Sequence, residues 1–415
     1  MYHLVDFNTK ERVFPKSLVF TGKDSPWEVV MDLESIRTKI HLDYFKEAPP
    51  CLAKYLPLLP LKDHTQFVSL RESPTPLVKS KSLGKQLGVN LHFKMESKNP
   101  TGSFKDRGSA VDVSVAKEMK ANGIVLASTG NMAASCSCYA AAAKIPCFVF
   151  VPEGVPMAKL AQVVAFGGKI VQVKGSYNDA ARLAEAIAER MGFFLAGDYA
   201  FRVEGQKTAA FELMDQLFLK EPDMVVVPIG CGTNIAAYAK GFNEYCQLGL
   251  TTKIPQLIGV QAEGASAVVN SFKEGRSTVI PVENVNTVAS AIAIGMPIDG
   301  IKALDAVYST NGQAVTVSDM EILQAQYLLS TEEGLFVEGS SAATFAALIK
   351  MASQQDLMGK KIVCILTGDG LKDPSSILKA VAEPPTINPE EHEFLLLYEE
   401  NYLSRGKNEY ANQQI

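Results

Sequence analysis

Asn99-Pro100-Thr101-Gly102-Ser103-Phe104-Lys105-Asp106-Arg107-Gly108 joins two different periodicities. The run before it, 91–95, alternates as a strand does, and the residues after it repeat with helical spacing at Phe104, Val111, Val115 and Met119. Pro100 and Gly102 break the strand, while Thr101 or Ser103 offers a hydroxyl to the first N–H groups of the helix. Lys105 therefore stands at a strand-to-helix turn, its amine aimed at the space the strand ends surround. Lysine amines form Schiff bases with carbonyl cofactors once desolvation or nearby cations supply the free base. The competing reading is one more solvated lysine among 40 Lys and Arg. The rest of the chain decides between them.

Downstream of Lys105, strands at 123–128, 146–151 and 169–173 alternate with helices at 132–143, 157–166 and 178–191. A second block carries an amphipathic helix at 205–219, strands at 224–228, 256–261 and 361–366, and helices at 234–247, 319–329, 342–351 and 375–381. This alternation implies right-handed crossovers and parallel sheets covered by helices, an α/β fold. Upstream, Glu72-Ser73-Pro74-Thr75-Pro76-Leu77 fixes an extended turn. Residues 1–64 read as irregular, with a short strand at 29–31 and a helix at 33–45. The tail from Glu383 opens with Pro384-Pro385 and carries seven glutamates. It is either a loosely packed arm or a helix at 393–402.

A chain of 415 residues suggests two or three domains, and 47% hydrophobic with 20% charged residues is ordinary for a globular protein. A net charge of −5 provides no basic field for nucleic acid. No apolar run approaches the ~20 residues of a membrane helix, and Met1 to Asp6 lack the layout of a signal peptide. A cytoplasmic protein is expected. The seven cysteines are odd in number and mostly inside apolar runs, as suits reduced thiols. Cys136 and Cys138 have no second pair or nearby histidine, and the five histidines lack metal spacing, so no metal site is expected.

Three further turns carry chemistry. Pro228-Ile229-Gly230-Cys231-Gly232-Thr233-Asn234 lies between an apolar strand and a helix, where glycines let backbone N–H groups curl toward a phosphate. Such turns also occur for close packing alone. Ser128-Thr129-Gly130-Asn131 offers N–H groups and hydroxyls to a carboxylate, with the Asn131 amide free to donate to a cofactor's phenolic oxygen. An ordinary helix cap reads the same way. Leu366-Thr367-Gly368-Asp369-Gly370 ends a strongly apolar strand.

Together with Arg202-Val203-Glu204-Gly205-Gln206-Lys207-Thr208, these segments resemble, in order and across 72–370, the threonine synthases of the fold-type II pyridoxal-phosphate enzymes. That group also holds serine and threonine dehydratases and cysteine synthases. The resemblance implies a tryptophan synthase β-like α/β fold with two parallel or mostly parallel sheets. It implies an N-terminal extension at 1–64, a large cofactor-binding domain from 65–105 with 201–382, a small domain at 106–200 and an acidic tail at 383–415. Pyridoxal 5′-phosphate would be linked to Lys105, the catalytic base. Gly230, Cys231, Gly232, Thr233 and Asn234 would grip its phosphate, Asn131 its phenolic oxygen, and Thr367 its ring nitrogen. A hydroxyl there does not force the nitrogen to stay protonated, which steers the chemistry toward elimination and replacement. Ser128, Thr129, Gly130 and Asn131 would receive the substrate's carboxylate and Arg202 its phosphate. Family members are commonly dimers, so a homodimer is implied.

The chain departs from the family in two places. Met132 stands where a hydroxyl residue usually follows the asparagine, and Leu195 to Phe201 replace a stretch that usually carries a polar Asn-Ser pair. Asp198 near a phosphate would repel it, and each lost hydrogen bond costs on the order of 1–3 kcal/mol, enough to change a preferred substrate. The first expectation is a threonine synthase acting on O-phospho-L-homoserine. Alternatives are cysteate synthase-like replacement on O-phosphoserine with sulfite, another lyase or dehydratase, or a cofactor-binding protein without turnover. Retention of Lys105, the glycine turn and Thr367 disfavours the last.

Overall fold

Met224–Pro228, and Lys361–Ile365 after its first residue, run apolar without a break because both of their faces are covered. Their residues alternate between two cores: Val225, Val227, Val363 and Ile365 face one, and Met224, Val226, Ile362 and Cys364 face the other. These strands lie at the centre of a six-stranded sheet ordered Gln313–Val317, Gln256–Ala262, Met224–Pro228, Lys361–Ile365, Asn90–Lys94, Leu77–Lys79. All neighbours are parallel except the edge strand Leu77–Lys79, which is antiparallel. A second sheet, ordered Lys169–Val173, Cys147–Pro152, Ile124–Ala127, Phe194–Leu195, is parallel throughout. Two mostly parallel sheets are what the alternation of strands and helices predicts.

This computed structural model describes residues 2–22, 25–40, 43–48, 51–378 and 384–399. The chain divides into two compact units, Met1–Ile377 and Leu378–Ile415. Among the described residues no helix is long and apolar enough to cross a membrane.

The N-terminal residues differ from their predicted irregularity. Tyr2–Asp6 pairs antiparallel with Arg12–Val13 and Trp27–Met31 in a third sheet. Only part of this ribbon is buried, so its sequence mixes charge with Leu4, Val5 and Val29. It covers the helix Ala200–Gln206, where Tyr2 and Phe20 meet Phe201 edge-on at 5.9 and 4.7 Å.

Other elements shift. The helix predicted at 33–45 is two, Leu33–Lys39 and Asp43–Glu47, with 41–42 outside the described residues. The one predicted at 205–219 begins earlier and divides into Ala200–Gln206 and Thr208–Gln216. Beside that division the Thr208 hydroxyl donates to the Gly205 carbonyl at 2.6 Å, and the buried Lys207 amine is drawn between Glu204 and Glu244. The segment 157–166 is a 3-10 turn, Met157–Leu160, followed by Ala161–Ala165. Ala267–Lys273, Gly300–Ser309 and Gln313–Val317 are regular without having been predicted. Of the helix predicted at 375–381, Ser375–Leu378 is described and 379–381 lie outside. In the second unit Glu391–Tyr398 is helical, and 400–402 of the predicted 393–402 lie outside the described residues.

Candidate active site

The sequence-predicted turns follow the carboxyl ends of parallel strands, where open α/β sheets bind ligands. The turn before Lys105 follows Asn90–Lys94, Ser128 follows Ile124–Ala127, the glycine turn follows Met224–Pro228, and Thr367 follows Lys361–Ile365.

Lys105 opens the helix Lys105–Glu118. Its turn is clamped to the Thr367 strand end: Phe104 N donates to the Thr367 carbonyl and Asp369 N to the Gly102 carbonyl, both at 2.9 Å. Asp106 supplies the cap expected of Thr101 or Ser103, in the reverse sense: Thr101 N and its hydroxyl donate to the two Asp106 carboxylate oxygens at 2.7 and 2.6 Å. Beneath lies a buried charge network. Arg107 donates to Glu96 at 2.7 and 2.8 Å and pairs with Glu212 at 3.0 Å, and Lys94 also pairs with Glu212. Burial works to raise the Glu212 carboxyl, but Arg107 and Lys94 outweigh it and hold the group down at about 2. Breaking such a pair leaves a buried charge unmatched, so the network fixes the turn rigidly.

The Lys105 amine meets both carboxylate oxygens of Asp198, at 2.9 and 3.2 Å. Cys231 of the glycine turn stands near the same carboxylate and the Lys105 amine: burial pushes its thiol up, Asp198 adds to that rise and Lys105 opposes it. Lysine and glycine turn are thereby brought to one point. Gly232 caps the helix Thr233–Gln247 with φ +94°, and a β-carbon there would lie 2.5 Å from the Asp299 carbonyl, so only glycine fits this curl. The Thr233 hydroxyl donates to Asp299 at 2.8 Å, leaving its N–H to the open helix end. Asn234 Nδ2 and Ser103 Oγ are buried without a partner.

On the opposite side, a β-carbon on the exposed Gly130 would meet only open space, and Ser128 is buried beside it. Asn131 Nδ2 donates at 3.1 Å to Glu338, a buried carboxylate that also accepts from Ser340 at 2.6 Å. Burial pushes the Glu338 carboxyl up, against these hydrogen bonds. Glu338 N donates to the Gly368 carbonyl at 3.1 Å, and Ser341 Oγ lies 3.0 Å from the Thr367 hydroxyl. Asn131 and Gly368, the residue after Thr367, thus flank one carboxylate.

Two expectations change. Arg202 is fully buried and does not open onto the site. Its guanidinium pairs with Asp112 at 2.8 Å and donates to the Gly197 carbonyl at 2.9 Å, the Lys105 carbonyl at 3.3 Å and Cys136 Sγ at 3.0 Å. It braces the lysine from below through the Lys105 carbonyl. Met132 likewise packs into the main core. Asp198, Glu338 and Asp112 are site residues the sequence reading did not assign. Asp112 and Ser109 lie seven and four positions after Lys105, on its own helix face, which is a legible signal.

The residues present fit pyridoxal phosphate. The glycine curl excludes side chains, the open helix N-terminus attracts an anion, the orphaned Asn234 amide lies beside it, and a lysine stands within reach.

A family model described as pyridoxal-phosphate dependent enzyme matches residues 68–368. Threonine synthase of Methanocaldococcus jannaschii is 43% identical over 87% of this chain and 90% of its own length. That of Methanosarcina acetivorans is 39% identical over 94% and 96%. Among solved structures, threonine deaminase isoform 2 of Solanum lycopersicum has a TM-score of 0.66 at 23% identity, covering 89% of this chain and 98% of that one. Maize serine racemase has a TM-score of 0.64 at 24% identity, covering 74% and 91%, and these two likenesses speak for the fold alone. The chain belongs to the pyridoxal-phosphate dependent enzymes of fold type II and, within them, to the threonine synthase family.

Proposed function

We propose that the chain converts O-phospho-L-homoserine and water into L-threonine and phosphate. The observation that carries this is the meeting of the Lys105 amine, the glycine turn and the Thr367 strand end in a chain 43% identical to a threonine synthase. Pyridoxal phosphate, when bound, supplies an electron sink for the carbanion beside the substrate's amino group. The rest falls to the protein. Backbone N–H groups of Gly230 to Asn234 hold the cofactor's phosphate. Asn131, whose amide here donates to Glu338, would donate to the cofactor's phenolic oxygen. Thr367 would offer the ring nitrogen a hydroxyl, which does not force it to stay protonated. Ser128, Thr129 and Gly130 receive the substrate's carboxylate at a helix start that opens on free space. Lys105 takes the α-proton and returns protons to carbon. Phosphate leaves from the γ-carbon, and water adds at the β-carbon.

Arg202 serves this site as a brace, with the substrate phosphate held elsewhere. The two sheets are consistent with the expected large domain from 65–105 with 201–382, as far as residue 377, and small one at 106–200; 378 belongs to the second unit and 379–382 lie outside the described residues. Family likeness supports a homodimer acting in the cytoplasm.

Purified protein supplied with pyridoxal phosphate and O-phosphohomoserine is expected to release phosphate and threonine in equal amounts. Phosphate released only from O-phosphoserine with sulfite would replace this reading with β-replacement.

A further inference from the structure

We propose that Asp198 is the positioning residue of the Lys105 amine, holding it in its protonated form between proton transfers; this rests on the reading of Lys105 as the catalytic base. Both carboxylate oxygens reach the amine, at 2.9 and 3.2 Å. The pair is enclosed, with side chains 16% and 7% exposed. Asp198 is itself fixed, because Arg202 Nε donates to the carbonyl of Gly197 just before it at 2.9 Å. Other carboxylates nearby are engaged elsewhere, Asp112 by Arg202, Asp106 by Thr101, and Glu338 by Asn131 and Ser340. Among the described residues Asp198 is the one ion-pair partner of Lys105. A carboxylate so paired is neutralised, which removes the repulsion toward a substrate phosphate expected of a lone aspartate.

The reaction needs one amine to act as base and then as acid. When Lys105 takes a proton from carbon, the C–H bond breaks, an N–H bond forms and the electron pair stays with the carbon. The ammonium then rests against Asp198, and its proton is kept for return instead of passing to water. Asp198 accepts a hydrogen bond throughout and takes no proton. Arg202 and Lys105 support this: burial works to raise the Asp198 carboxyl, yet the two cations hold it below its ordinary range.

Several groups face the pair. Asp112 shares the lysine's helix, Arg202 stands below, Cys231 and Asp299 belong to the glycine-turn side, and Tyr177 and Tyr199 lie on the small-sheet side. Of these, burial brings the Asp112 carboxyl up to about 7.

The test uses the cofactor-loaded enzyme. Without substrate, the pH titration of the visible band of the lysine-bound cofactor is expected to move down by about one unit or more in Asp198→Asn. It should stay within about half a unit in Asp198→Glu, which keeps the charge. With substrate, the alkaline limb of kcat should fall by a similar amount in Asp198→Asn while KM changes less than about threefold. An Asp198→Asn enzyme whose band and alkaline limb both stay in place overturns the proposal. Should that variant fail to fold, Asp198→Glu decides: a displacement of one unit or more overturns the proposal, and a retained titration supports it. Failure of the wild type to release phosphate from O-phosphohomoserine would remove the substrate reading alone, because the band titration needs no substrate.

Discussion

Gly205 lies directly against the Arg107 carbonyl: a β-carbon on Gly205 would come within 2.0 Å of that oxygen. On the facing helix Gly108 makes the matching approach, its missing β-carbon 2.6 Å from Arg202 Cγ. Two glycines thus let the helix of Arg202 press against the helix of Lys105, and the guanidinium slides beneath the lysine as a result.

Gly205→Ala should therefore force two helix backbones apart. Overpacking of this kind costs about 1–3 kcal/mol, with rigid backbone on both sides placing this site at the upper end. Urea denaturation at pH 7 should show the loss, accompanied by weaker cofactor retention.

Arg202→Lys keeps the charge but loses the planar fork that reaches Asp112, Gly197 and Cys136 at once. The expected outcome is a stability loss of about 2–4 kcal/mol, with KM for O-phosphohomoserine within about threefold of wild type in the folded fraction. A tenfold rise in KM at unchanged stability would return Arg202 to the substrate.

Much of this arrangement was legible beforehand and part was not, for a physical reason. Turn chemistry is local, so the apolar runs at 224–228 and 361–366 and the glycine turn at 230–232 announced the strand ends that carry the site. Lys105 was readable from the change of period around it. Burial is not local. Nothing within a few residues of Arg202 tells that Gly108 and Gly205 will draw it into the interior, and a motif that resembles a phosphate-binding segment is here a packing motif. Asp198 looked like a charge out of place because its partner stands 93 positions away in sequence. The ribbon at Tyr2–Asp6 was missed because a strand covered on one face keeps charged residues on the other.

Acid stability should depend on Glu212. Its folded carboxyl is held at about 2, below its ordinary value, so its contribution is fully present above pH 4.5 and is lost as pH falls toward 2. The contribution is on the order of 3 kcal/mol. Glu212→Gln should lose about 3–5 kcal/mol at pH 7, where Arg107 and Lys94 go short of a charge. It should also show a shallower further loss than wild type between pH 4.5 and 2. Denaturant melts across that range measure both.

Gly232→Ala strains a φ of +94° and drives a β-carbon into the Asp299 carbonyl. Its effect should concentrate on the phosphate grip: cofactor affinity, followed by the visible band during titration with pyridoxal phosphate, should fall at least about tenfold, with far-ultraviolet circular dichroism retained.

The chemistry of the site turns on which amine holds the cofactor. Borohydride reduction of the cofactor-loaded protein, followed by mass mapping of its peptides, finds that amine directly. The predicted result is a single modified peptide with the label on Lys105; a label on Lys98, Lys207, Lys372 or any other lysine, or no label at all, would contradict it.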